Sequence, residues 1–178
     1  LNGLLATAIE VGMHNSLEEI TGHIGLDQGK EIGGSDVDFY KITLPDDGAL
    51  LVDIDTPDAQ GYANTLLTIY DKNGNQLFRN DNALSHNRHQ AATEFTDDNF
   101  PGLVFEHATD REQPQGHATD SFSFLEGLSS GETYYFAVSD AVNTGFHPSD
   151  FSNRTSGNGG SYSLVFDFMT KDLNGRIQ

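Results

Sequence analysis

Apolar and polar residues alternate with a period of two along most of this chain, the spacing of half-buried β-strands. Val37 to Leu44 (VDFYKITL) carries apolar groups on both faces, whereas Ala49 to Thr56 (ALLVDIDT) sets Leu50, Val52 and Ile54 against an outer row of Leu51, Asp53 and Asp55. Between them, Pro45-Asp46-Asp47-Gly48 has turn chemistry: proline presets φ and glycine supplies positive φ. The two strands are therefore expected to form a hairpin. Leu66 to Asp71 and Gln76 to Arg79 flank Asn73-Gly74, the strongest short hairpin signal. Ser121 to Leu125, Thr133 to Ser139 and Ser161 to Phe168 continue the pattern, with a Gly/Ser turn at Gly127 to Glu132. Ile20 to Gly25 reads as a strand; Leu4 to Val11 reads as a strand or a short helical turn.

Eight or more short strands without a long helix predict an all-β, antiparallel jelly-roll β-sandwich. Residues 1–178 suit one domain. Two long loops interrupt it, 82–119 and 140–160, and loops of that length in a compact domain are usually functional or disordered. The first holds four of the seven histidines. Twelve Phe and six Tyr supply large rings for a core. Tyr134, Tyr135, Phe136 and Tyr162 belong to strands and so to the core. Phe100, Phe105, Phe146 and Phe151 either pin the loops or line a recognition surface.

Charge changes the picture. Of the 27 acidic residues 18 are Asp, against nine Lys plus Arg, for a net charge of −18. That balance argues against nucleic acid and anionic membrane as partners and favours cations. No apolar run is long enough to insert in a membrane. With no cysteine, a disulfide framework and thiolate metal sites are excluded. Aspartate oxygens are hard ligands, and calcium takes six to eight of them, so Ca2+ is the expected cofactor. Solvation of the surface by the same acids is the competing account. The chain opens and closes abruptly, reads as part of a longer multidomain protein, and carries no recognisable signal peptide; the isolated domain is expected to be monomeric.

Four segments, taken in order, form a recognisable pattern: LLATAIEVG with ITGHIG, GGSDVDFYKITLPDDGALLVDID, NTLLTIYDKNGNQLFRND, and DSFSFLEGLSSGETYYFAVS with GGSYSLVFDF. Together they resemble the bacterial pre-peptidase C-terminal (PPC) domain, a jelly-roll sandwich related to the collagen-binding modules of clostridial collagenases. The resemblance implies a non-catalytic appendage of a secreted or cell-surface bacterial protein, including the large RTX-type adhesins. It also implies calcium between the amino-terminal segment and the acidic turn before the D-F-Y strand, where Asp36 and Asp38 inherit the ligand role. The family's amino-terminal acidic positions are replaced here by Asn2-Gly3-Leu4, leaving Asn2 as one oxygen donor.

Asp36 and Asp38, two apart in an extended chain, lie about 7 Å from each other on one face, so they either bridge a metal or cap the turn. Asp81, Asp120 and Asp140 sit at strand ends that a jelly roll can gather at one rim, and form a second candidate calcium site. Asn80, Asn82, Asn143, Phe146, Asp150 and Asn153 are the candidate ligand-binding residues around it. The mechanism this suggests is a calcium ion that orders both loops and keeps an open coordination position for a peptide or glycan on another cell or matrix. A calcium-clipped spacer, or a targeting appendage of a protease, is the alternative. Zinc is disfavoured, since His86 and His89 lack a third ligand at a recognised interval and His107 and His117 are scattered. Enzymatic chemistry is not expected: Cys is missing, and so is Trp, the usual sugar platform.

Overall fold

The computed structural model describes residues 2–13, 17–27, 29–56, 63–81 and 121–170. A single 3-10 turn, Leu5–Thr7, leads into β1 (Ile9–Glu10), so the amino-terminal segment is part turn and part strand. Then follow β2 (Leu17–Ile24), β3 (Leu26–Asp27), β4 (Lys30–Glu31), β5 (Val37–Thr43), β6 (Gly48–Asp55), β7 (Thr65–Tyr70), β8 (Gln76–Asn80), β9 (Phe122–Leu128), β10 (Thr133–Asp140) and β11 (Gly160–Thr170). No helix among the described residues is long and apolar enough to cross a membrane.

Two sheets face each other, one ordered β1-β5-β10-β7-β8 and the other β2-β11-β6-β9, with β3 and β4 forming a small separate flap. Leaving the flap aside, every link from β2 onward crosses from one of the two facing sheets to the other except that between β7 and β8. This is the two-Greek-key weave of a jelly roll. Pairing is antiparallel throughout the sandwich, apart from the short β1, which runs parallel to β5.

The Asn73-Gly74 turn joins a true hairpin, with Gly74 at φ +81°. The hairpin expected across Pro45 to Gly48 does not form: β5 pairs with β1 and β10, whereas β6 pairs with β11 and β9. The reason lies in Leu44. Its side chain is buried, and its backbone bonds to the next crossover turn, Leu44 N–H donating to Glu132 O at 3.1 Å and Gly131 N–H to Leu44 O at 2.9 Å. Ser130 completes the contact, its N–H donating to Asp47 Oδ1 at 2.7 Å and its hydroxyl to Pro45 O at 3.1 Å. Burying Leu44 carries the chain over the end of the core, and a strand apolar on both faces cannot leave one of them to water.

That second apolar face has its own core. Ile42, Leu50, Val52, Ile54, Phe136 and Phe166 belong to the main core between the sheets, where the Phe136 and Phe166 rings pack edge to face at 5.0 Å. Val37, Phe39, Leu66, Tyr70 and Ala137 form a second cluster on the outer face of the five-stranded sheet. Leu5 and Ala8 cover it from the amino terminus and Phe146 from the β10–β11 link. The acidic outer row of β6 is less solvated than its sequence suggests: Asp53 is buried, because β6 is an inner strand flanked by β9 and β11.

Candidate functional site

Strand register fixes where the acids lie. Asp140 ends β10 level with Asp36 before β5, since Ser139 pairs with Val37. Asn80 pairs with Leu67, which brings Asp81 to the same end of the sandwich. The topology thus sets Asp81 and Asp140, two members of the expected rim site, at one end together with Asp36 of the other expected site, but among the described residues it does not join the three carboxylates as a metal-holding group. Asp81 is exposed, two strand spacings or about 10 Å from β10. Asp120, Asn82 and the four loop histidines lie outside the described residues. Among the described residues no three His, Cys, Asp or Glu side chains come together as a metal-holding group.

What the same end does hold is a buried acidic nook at the mouth of the sandwich. Period two turns Val37 and Phe39 outward and Asp38, Tyr40 and Ile42 inward. Asp36 is 2% exposed, Asp38 4% and Asp27, from the β3–β4 flap, 7%. The phenol of Tyr162 donates to Asp38 Oδ2 at 2.7 Å. Its oxygen lies 2.8 Å from that of Tyr40, and since a phenol has one proton, Tyr40 is the donor there. The Tyr162 ring fits because its register partner on β2 is Gly22, where a Cβ would fall 2.2 Å from the ring. Asn2 closes the mouth: its side chain hydrogen-bonds Asp38, and its carbonyl accepts from Phe39 N–H at 2.9 Å.

Burial above all, helped by the neighbouring Asp36 and Asp27 carboxylates and opposed by the hydrogen bonds from Tyr162 and Asn2, brings the Asp38 carboxyl up to about 7. Asp36 is raised by burial too, against the pull of the Gly25 and Val37 N–H groups; Gly25 N–H donates to its Oδ2 at 2.9 Å. Among the described residues the cation that bears on Asp36 is Arg154. Its guanidinium donates to Gly3 O and, at 3.5 Å, to Ser35 O, and lies over the Phe151 ring at 4.7 Å. It joins the amino-terminal segment, the Asp36 turn and the β10–β11 link.

The remaining candidates divide by exposure. Asp140 is buried and engaged by backbone amides. Its two oxygens accept from Val142 N–H at 3.0 Å and Asn158 N–H at 2.9 Å, capping both ends of the β10–β11 link. Asn143 is likewise a buried staple: its amide donates to Ser35 O at 3.2 Å and its Oδ1 accepts from Thr155 N–H at 2.9 Å. Phe146 is 5% exposed and packs edge to face on Phe39, so it pins the link to the second core and does not line an open rim. Asp150 and Asn153 are exposed, the latter at φ +58°, and Asn80 is half-buried with its Oδ1 unpartnered. Phe151, 59% exposed, is the large ring that the link presents to solvent. Sequence reasoning missed Asp27, Tyr40 and Arg154 and took Tyr162 for plain core. The available signal was Gly22, a glycine in a strand marking a close approach.

Among the described residues the groups recorded around Asp38 are the Asp36 and Asp27 carboxylates, the Asn2 amide and the Tyr162 phenol, an oxygen-rich set that suits a hard cation better than copper(I). No protein-family model matches the sequence, and no curated protein matches it. Among solved structures, it is similar to the pre-peptidase C-terminal domain of a Bacillus anthracis collagenase, at 12% identity and TM-score 0.44, over 89% of this chain and 93% of that one. It is also similar to CorA, a surface-associated copper-binding protein of Methylomicrobium album BG8, at 10% identity and TM-score 0.42, over 90% and 97%. A third similarity is to the Aeromonas sobria serine protease in complex with its chaperone, at 15% identity and TM-score 0.31, over 85% of this chain and 27% of that one. Likeness at this level concerns the arrangement of strands and assigns no activity.

Proposed function

We propose that this chain is a non-catalytic, calcium-dependent binding module of a secreted or cell-surface protein. The observation that carries the reading is the buried acidic nook. Carboxylates taken out of water are paired, protonated or bound to metal, and here Asp36 and Asp38 are buried side by side, with Arg154 the cation that bears on Asp36 among the described residues. Asp36 and Asp38 would hold the ion, Asn2 would add a neutral oxygen, and water would fill the remaining positions. When bound, the ion supplies positive charge that ties the amino-terminal segment to the Asp36 turn. Calcium outside cells is abundant enough to keep a modest site loaded, which fits extracellular display.

The module binds rather than merely spaces. Exposed Phe151, held flat by Arg154 and flanked by Asp150 and Asn153, is an aromatic and polar surface on a pinned link. Such a surface suits a peptide or glycan. A spacer has no use for an exposed ring in that position.

Calcium titration calorimetry with Asp38→Asn tests the first half. Asn mimics a protonated Asp in shape and charge. If calcium is the counter-charge, the wild-type chain binds calcium and melts higher in its presence, and Asp38→Asn loses both effects. A wild-type chain whose melting ignores calcium, together with an Asp38→Asn variant that is more stable at neutral pH, means that a proton does the neutralising. The second half is read on a peptide and glycan array, with and without chelator, using Phe151→Ala as the control.

A further inference from the structure

The amino-terminal segment is seated on the sandwich as a peptide is seated on a receptor. Residues 2–11 lie along the side of β5 turned away from β10, where β1 forms the edge of the five-stranded sheet. Their backbone bonds are few: Phe39 N–H to Asn2 O, Arg154 to Gly3 O, Leu5 N–H to Pro148 O at 2.9 Å, Val11 N–H to Lys41 O at 2.9 Å, and a parallel ladder in which Ile9 pairs with Tyr40 and Glu10 with Lys41. Glu10 and Lys41 add an ion pair at 3.0 Å between part-exposed side chains. Leu5 and Ala8 reach the second core but remain partly exposed, and Ala6 and Thr7 face water. Ile9 stays exposed as well. The inner strands β5, β10, β7, β11 and β6, by contrast, are each paired on two sides. Asn2, Gly3 and Val11 anchor its two ends, but between them the segment pairs on one side alone and buries little, and elements with few buried contacts open first. Gly12 follows it directly and gives the backbone a pivot.

We infer that this strap is exchangeable, and that the groove beneath it, lined by Val37, Phe39, Tyr70, Ala137 and Phe146, accepts residues 2–11 of a second copy of the chain. Lifting the strap leaves the β5 edge with unpaired N–H and C=O groups beside an uncovered apolar face, the condition under which strands add in trans. An identical strap from another copy repeats every contact, so exchange changes the connectivity and not the interface. The strap carries Asn2, which bonds Asp38, and Gly3, which lies beside Phe151 and Arg154, so an ion in the nook would hold it down and the exchange is measured in chelator.

Two measurements decide it. A chain lacking residues 1–8 is titrated with a labelled peptide of residues 1–13. Saturable binding that raises the melting temperature is expected, with a Leu5→Asp peptide about tenfold weaker or more. In parallel, intact chains of two different masses are mixed at high concentration, warmed and read by native mass spectrometry; mixed dimers are expected, and their absence when both chains carry Leu5→Asp. Should the truncated chain fail to fold, the mixing experiment with intact chains decides alone. A folded truncated chain that ignores the peptide overturns the groove, and intact chains that remain monomers overturn the exchange.

Discussion

Asp38 is the residue on which the chemistry of the nook turns, and its pH dependence has a definite sign. In the folded chain without metal its carboxyl is raised to about 7, whereas in the unfolded chain it titrates near 3.8. The folded state therefore holds the proton more tightly. The stabilisation is complete below the unfolded value and is lost as pH rises through 7. In chelator the domain should lose stability between pH 4 and 7, with Asp38 contributing on the order of 4 kcal/mol, and Asp36 acting in the same direction. Asp71 and Asp150, both lowered by hydrogen bonds from neighbouring residues, act oppositely, but they are exposed and small in effect. Calcium should flatten the profile, because a bound cation holds the carboxylate form. Urea melts at several pH values, with and without calcium, read this directly; identical profiles would remove the ion from the nook. Tyr162→Phe withdraws the short bond to Asp38 and the acceptor of Tyr40, and should cost about 1–3 kcal/mol, more above pH 7 than below, since a charged carboxylate depends on that donor most.

The β10–β11 link shows what an element adds beyond its residues, and where the sequence could and could not be read. The strands themselves were legible, because a half-buried strand writes period two into its residues. The sheet to which each belongs was not, because a four-residue turn such as Leu44 to Asp47 serves a hairpin or a crossover equally well, and burial of Leu44 settles it. Asp36 and Asp38 could be located by their place at the start of β5, but their neighbour Asp27 comes from a flap strand that sequence spacing does not connect to them. Loop acids posed a harder problem: an Asp at a strand end can bind metal or cap amides, and the difference lies in backbone geometry alone. Asp140 caps amides. Asp140→Ala should destabilise by about 2–4 kcal/mol, equally in calcium and in chelator; a loss seen mainly in calcium would restore a metal role. Gly157 is locked in by the same carboxylate. A Cβ there would lie 2.1 Å from Asp140 Oδ1, and one on Gly34 only 1.9 Å from Gly157 O. Gly157→Ala should therefore cost about 1–3 kcal/mol by overpacking, with loss of the link's proteolytic resistance as the first sign.

At the scale of the whole molecule the net charge of −18 acts on every titration, and it separates a specific ion from a general one. Crowded like charges oppose the compact state, and any salt that shortens the Debye length relieves them. Calcium would stabilise this chain to some degree even without a site, so a rise in melting temperature on adding it proves little by itself. The two effects differ in their dependence on concentration. Screening follows ionic strength and has no saturation at low millimolar levels, whereas site binding stabilises as the logarithm of ligand over dissociation constant once the site fills. Matched series of sodium, magnesium and calcium chloride at equal ionic strength should therefore diverge. Sodium should give a gradual rise alone, and calcium the same rise with an added step at low concentration. Magnesium should lie between, because it sheds water reluctantly and demands octahedral geometry that a nook with two aspartates and a neutral amide does not impose. Asp38→Asn should delete the calcium step and leave the gradual rise intact, because one charge in eighteen hardly alters the field while the site is gone. If the three salts superimpose at equal ionic strength, the acids act only as a diffuse field and the buried carboxyls of the nook are neutralised by protons.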